Sequence, residues 1–121
     1  MEIEWNTNYI APQNLINISR GDKNRMERYL RQFQELIPAR VEDLKKHLND
    51  NDRKMIRQTL HQMSPQLQFF GIQNVVVPIR RLEFEYQTMP LDDLEILING
   101  ILEKLDGACG EVDSIIEKNF S

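Results

Sequence analysis

The sequence predicts an all-α fold, an antiparallel up-down four-helix bundle with a short extra N-terminal helix. Three observations lead there. Apolar residues recur at alternating steps of three and four along four long stretches, the signature of a helix with one buried face. Strand signals are nearly absent, since "NVVVPI" is β-branched but short and Pro78 interrupts it. The stretches are joined by short turns, which favour packing of sequence neighbours side by side.

The elements follow in order. "NYIAPQNLINIS" predicts the short N-terminal helix, laid across one end with Trp5 and Tyr9 as packing anchors. Gly21 ends it, and Asp22 is a good N-cap for the first long helix. That helix carries the seam Met26, Leu30, Phe33, Ile37, Val41, Leu44 and Leu48, with Pro38 expected to kink it. "NDND" is a turn, and Asn51 or Asp52 caps the second long helix. Its seam is Ile56, Leu60, Met63, Leu67 and Phe70, and Gly71 ends or kinks it. A third helix is predicted from about Gln73 to Thr88 on Val75, Ile79, Leu82, Tyr86 and Met89, with Pro78 near its first turns. Pro90 opens the last helix, with Asp92 and Asp93 at its positive end. Its seam is Leu94, Leu97, Ile101, Leu105, Ala108, Val112 and Ile115. Gly100, Gly107 and Gly110 weaken that helix intrinsically, so packing must hold it.

Composition narrows the functional classes. The 121 residues make one domain, 1–121, with 40% apolar and 28% charged residues. No apolar run approaches the roughly 20 residues of a membrane helix. The acidic start "MEIEWNTNYI" lacks a signal-peptide core. A single cysteine, Cys109, fits a reducing compartment, so a cytoplasmic location is expected. The net charge of −4 is unevenly spread. Residues 1–81 carry 13 Lys/Arg against 9 Asp/Glu, and residues 82–121 carry 2 against 10. The acidic second part argues against nucleic-acid binding. The cluster Arg20, Lys23, Arg25, Arg28 and Arg31 reads first as a solvated helix face, and second as a surface for an anionic partner.

One histidine stands out. At about 100° per residue, the seam of the second long helix puts His61 nearly opposite the core. Its neighbours in projection are Lys54, Arg57, Gln58, Ser64, Pro65 and Gln68, with Phe69 at the edge of that face. Pro65 lies four residues beyond His61. Inside a helix it costs about 3 kcal/mol or more, because it removes an amide and crowds the carbonyl of residue i−4. A continuous, kinked helix is expected; the rival is a break, with Ser64 as N-cap and Pro65 at the first helical position. A solvent-facing histidine alone is usually only a surface residue. No Ser/His/Asp triad, zinc spacing or phosphate loop can be assembled. His47 sits near a helix C-terminus and reads as structural.

The stretch His61-Gln62-Met63-Ser64-Pro65-Gln66-Leu67-Gln68-Phe69-Phe70-Gly71 resembles the histidine-containing phosphotransfer (HPt) domains of multistep two-component relays. Their pattern is roughly H-x-L-K-G-x-x-x-x-L-G. The histidine, the apolar residues two and nine positions on, and the glycine ten on all match. "GDKNRMERYLRQFQELIP" is similar to the family's first bundle helix, and "IRRLEFEY" to its R-x-L-E-like stretch. The resemblance spans about residues 13–118. Ser64 and Pro65 depart from it, standing where the family often has lysine and glycine. The lysine is thought to help neutralise the phosphoryl group.

The resemblance implies a phosphocarrier without kinase activity of its own. His61 would accept a phosphoryl group from the aspartate of a response-regulator receiver domain and pass it to another receiver. A free imidazole is largely neutral at pH 7, so its nitrogen, expected to be Nε2, needs no activating base. Arg57 would supply charge, Ser64 and Gln68 would hydrogen-bond phosphoryl oxygens, and Arg57, Gln58, Ser64, Pro65, Gln68 and Phe69 would meet the partner. No cofactor of its own is implied, Mg²⁺ coming with the receiver. A hybrid sensor kinase is the other implied partner. Nucleic acid and membrane are not expected, and monomer is the default. The rival class is a non-catalytic helical module, a degenerate HPt domain or another interaction bundle. A small metalloprotein is disfavoured by the lack of paired Glu and Glu-x-x-His ligands.

Overall fold

The computed structural model describes residues 3 and 5–120, with only the backbone of Gln73. Five helices follow one another: α1 (Gln13–Ser19), α2 (Lys23–Asn49), α3 (Arg53–Phe69), α4 (Gln73–Glu85) and α5 (Leu91–Phe120). There is no strand among the described residues. The two long helices α2 and α5 pack on each other; α3 packs on α2 and α4, and α4 packs on α5. These contacts close a ring of four helices, and α1 lies against α2.

The seams line the interior of that ring. Met26, Leu30, Phe33, Ile37 and Leu44 of α2 are buried, as are Ile56, Leu60, Met63 and Leu67 of α3. Val75, Ile79 and Leu82 face them from α4. Burial of such side chains is worth about 1.5–3 kcal/mol each, far more than the propensity of any one helix. Val41, Leu48 and Tyr86 sit at the margin, half-buried against the core. In α5 the deepest position falls on Ile98 rather than Leu97, which is half-buried. A helix squeezed between α2 and α4 needs a wider apolar stripe than a single seam.

The boundaries follow local chemistry. Asp22 caps α2 by accepting from the amides of Asn24 and Arg25 at 2.9 and 3.3 Å. Asp52 caps α3 through the amide of Met55 at 3.2 Å. Asn51 takes the left-handed conformation between the two helices. Gly71, at φ +65°, closes the end of α3, where a Cβ would lie 2.7 Å from that of Ala11. Helix α4 stops at Glu85, three residues short of the predicted Thr88. The carbonyl of Glu85 accepts from the amides of Thr88 and Met89. The Arg53 guanidinium, reaching over from α3, donates to the carbonyls of Tyr86 and Met89. Those bonds hold a turn where the seam alone suggested more helix.

All three helix-interior prolines lie within unbroken helices. Pro78 falls in the second turn of α4, near the start of the helix as the sequence suggests, and denies the Asn74 carbonyl its helical partner. The Lys104 ammonium of α5 donates to that carbonyl at 3.0 Å.

The N-terminal segment is strapped to the bundle. Glu111 of α5 accepts from the amides of Asn8, Tyr9 and Ile10, the last two at 3.0 and 2.9 Å. The ring of Tyr9 lies over Gly107, where any Cβ would collide with it. Trp5 is half-buried against the core, as anticipated.

Cys109 is half-buried, and burial, reinforced by Asp113 and Asp106, pushes its thiol from 9.0 up to about 11. The folded state therefore favours the protonated thiol. Its contribution to stability is complete below pH 9 and is lost as pH rises toward 11. Cys109→Ala should flatten that alkaline loss in denaturation curves recorded across this range. Two glycines of α5 should behave oppositely. A Cβ at Gly110 meets nothing within 4 Å, so Gly110→Ala should gain up to about 1 kcal/mol in denaturant unfolding. Gly107→Ala should forfeit that gain by displacing Tyr9, visible in Trp5 fluorescence.

Candidate functional site

Helix α3 has two faces with opposite tasks. Its apolar face is locked in the core, so the opposite face is held in a fixed direction. His61 stands on that outer face near the middle of the helix, with its side chain 74% exposed. Helical spacing puts Arg57, Gln58, Ser64, Pro65 and Gln68 on the same side. The helix runs unbroken through Ser64 and Pro65, so neither starts a new helix. Pro65 removes the amide that would bond the His61 carbonyl.

Among the described residues the ring has one partner. His61 Nδ1 lies 3.3 Å from Glu83 Oε1 on α4. An ionised carboxylate only accepts, so Nδ1 carries the hydrogen. In the neutral ring Nε2 then keeps its lone pair, and it makes no hydrogen bond among the described residues. The Glu83 bond is long and partly open to water; it biases the ring more than it locks it. Glu83 is missing from the sequence-derived site. Its only signal was the R-x-L-E-like stretch, and nothing there fixes which way the carboxylate points.

The neighbours divide into two groups. Toward α4, the exposed Arg57 guanidinium rests 5.3 Å from the centroid of the Tyr86 ring, a cation–π contact that holds it one turn before His61. Gln58 is exposed, and the half-buried Ser64 accepts from Gln68 Nε2 at 3.4 Å. Toward α2, the half-buried Phe69 packs on Tyr29 with ring centroids 5.4 Å apart. Pro65, Gln68 and Phe69 share a shallow depression with Asn14, Asn17 and Ile18 of α1. The sequence reading did not include these α1 residues, because the docking of α1 beside α3 is a tertiary fact. Asn14 ties the two helices together by donating to the Gln68 carbonyl at 3.4 Å.

This arrangement presents a nucleophilic nitrogen on an open surface, flanked by a cation on one side and apolar and amide groups on the other. With its side chain 74% exposed, the ring stands on open surface rather than in a cleft. Among the described residues, no cluster of three or more His, Cys, Asp or Glu side chains is placed to hold a metal ion. No helix among them is long and apolar enough to cross a membrane. His47 lies half-buried in the last turn of α2, apart from this face.

The crystal structure of the HPt domain from the Hpt sensor hybrid histidine kinase of Shewanella matches the chain with a TM-score of 0.79. The match covers 93% of this chain and 97% of that one, at 18% sequence identity. The chain has the HPt-domain fold. No protein-family model and no curated protein sequence matches it. The likeness is one of shape, at low sequence identity.

The Glu83 contact biases the tautomer, and imidazole ¹⁵N shifts can read it. The neutral ring should be mainly the form protonated on Nδ1. Glu83→Ala should shift the population toward the Nε2-protonated form while leaving the helical circular dichroism unchanged.

Proposed function

We propose that this chain is a histidine phosphotransfer module of a two-component relay. The observation that carries the reading is the exposed His61 imidazole, mid-helix on an HPt-domain fold, with Nδ1 engaged and Nε2 open. Nε2 attacks the phosphorus of an aspartyl phosphate on a receiver domain. The P–N bond forms as the P–O bond to the aspartate breaks, and the aspartate leaves as carboxylate. The phosphoramidate then passes to a second receiver by the reverse chemistry. The domain acts as a covalent carrier and draws on no kinase activity of its own.

Such a transfer requires charge neutralisation and in-line positioning. Arg57 approaches the phosphoryl oxygens from the α4 side, and Ser64 and Gln68 supply hydrogen bonds. The absence of lysine at position 64 puts more of the cationic burden on Arg57. Mg²⁺ belongs to the receiver. Pro65 and Phe69 give apolar contact around the receiver's active-site rim, with Gln58 beside them. Glu83 is a positioning residue that orients Nε2 outward and stabilises the positive charge that builds on the ring during attack. An antiparallel up-down run of α2–α5 and a cytoplasmic location belong to the same reading. A hybrid sensor kinase is the natural source of the phosphoryl group.

The test is direct. The protein is mixed with a phosphorylated receiver domain, and transferred phosphate is assayed for acid lability and base stability. Wild type should acquire such phosphate, and His61→Gln should acquire none while keeping the fold. Receiver binding without phosphate uptake by wild type would favour the non-catalytic adaptor, for which the departures at Ser64 and Pro65 speak.

A further inference from the structure

Three side chains of α3, Arg53, Arg57 and His61, reach across to the end of α4. His61 Nδ1 meets Glu83 at 3.3 Å. The Arg57 guanidinium lies over the Tyr86 ring, 5.3 Å from its centroid. The Arg53 guanidinium donates to the carbonyl of Tyr86 at 3.1 Å, and to that of Met89. Residues spaced by four share a helix face, so the three contacts form successive rungs between the two helices. Glu83 holds the imidazole, and Tyr86 holds the cation one turn before it.

The kind of contact matters. Among the described residues Arg57 makes no ion pair, although Glu83 stands beside the same imidazole. A carboxylate partner would occupy the guanidinium's N–H groups and cancel its charge. An aromatic ring attracts the cation through its quadrupole and leaves that charge uncompensated. The five N–H donors of a guanidinium match phosphoryl oxygens in pairs. Tyr86 is itself half-buried against the core, and Arg53 pins its carbonyl, so its ring is a fixed support. An arginine loses much rotamer freedom when it is ordered. A support that orders it in advance lowers that cost for whatever binds later.

We propose that Tyr86 is a positioning residue for the phosphorylated state: it holds Arg57 where the guanidinium meets a phosphoryl group on His61, and so lengthens the life of the phosphohistidine. The proposal rests on the phosphotransfer reading of His61 and goes beyond it, assigning the stability of the phosphoramidate to an aromatic residue on another helix. In hydrolysis, water attacks phosphorus, the P–N bond to Nε2 breaks, inorganic phosphate leaves and a water proton returns to the ring. In the loose transition state of such a step the phosphoryl group approaches metaphosphate, and its oxygens lose negative charge. A cation bound to those oxygens therefore favours the intact phosphoramidate. With serine rather than lysine at position 64, the placement of Arg57 counts for more.

The lifetime can be read without any receiver domain. His61 of the intact chain is phosphorylated with phosphoramidate, whose P–N bond breaks as ammonium leaves with the imidazole proton. Loss of phosphohistidine is followed by ³¹P NMR, the His61→Gln chain giving the background from His47. Tyr86→Leu should shorten the half-life about two- to fivefold, and Arg57→Ala by at least as much. Tyr86→Phe, which keeps the ring, should match wild type. In the Arg57→Ala background Tyr86→Leu should add nothing, a coupling that a merely structural role would not produce. An unchanged half-life for Tyr86→Leu, equal lability of Tyr86→Phe and Tyr86→Leu, or an undiminished Tyr86→Leu effect without Arg57 would each overturn the proposal. Failure of His61 to take phosphate from this reagent would overturn it together with the phosphotransfer reading. Refusal of phosphate from receiver domains, with the lifetimes ordered as above, would sink the relay reading and leave the Tyr86 assignment standing.

Discussion

The candidate site depends on the burial of one apolar stripe. Ile56, Leu60, Met63 and Leu67 are wholly or almost wholly buried, and truncating any one of them to alanine would cost about 2–5 kcal/mol. A small domain has only about 5–15 kcal/mol to lose. The stripe fixes both the position of α3 and its rotation about its own axis. The outer face contributes little to stability, which is why it can hold an unpaired imidazole nitrogen and a proline that denies a carbonyl its partner. Stability and reactivity lie on opposite sides of one helix.

Where sequence reasoning succeeded, the information was local. The step pattern located the four long helices and gave the rotation of α3, and with it the outward direction of His61. Asp22 was legible as a cap, and Asp52 as one of two candidates with Asn51, because a cap needs only amides two or three residues away. Gly71 was legible because its neighbours left the helix pattern there. The reach of α4 to Thr88 failed because the turn at residues 86–89 is held by Arg53, more than thirty residues earlier.

The same distinction separates the two parts of the site. Arg57, Gln58, Ser64, Pro65 and Gln68 follow from helical geometry around His61. Glu83 and the α1 residues Asn14, Asn17 and Ile18 do not, because they depend on which helices become neighbours and on side-chain direction. Glu111, which gathers three amides of the N-terminal segment, is likewise invisible to any window of the sequence. Long-range polar contacts of this kind contribute roughly 0.5–1.5 kcal/mol each. They shape the ends and edges of the bundle without deciding its class.

Proline 78 and Lys104 form an unusual partnership. A ring that cannot donate sits on α4, and an ammonium from α5 donates in its place to the Asn74 carbonyl. The two positions are therefore thermodynamically coupled across a helix boundary. Pro78→Ala restores the local amide and frees the lysine, while loss of the lysine beside an intact proline hands the oxygen, on an exposed residue, over to water.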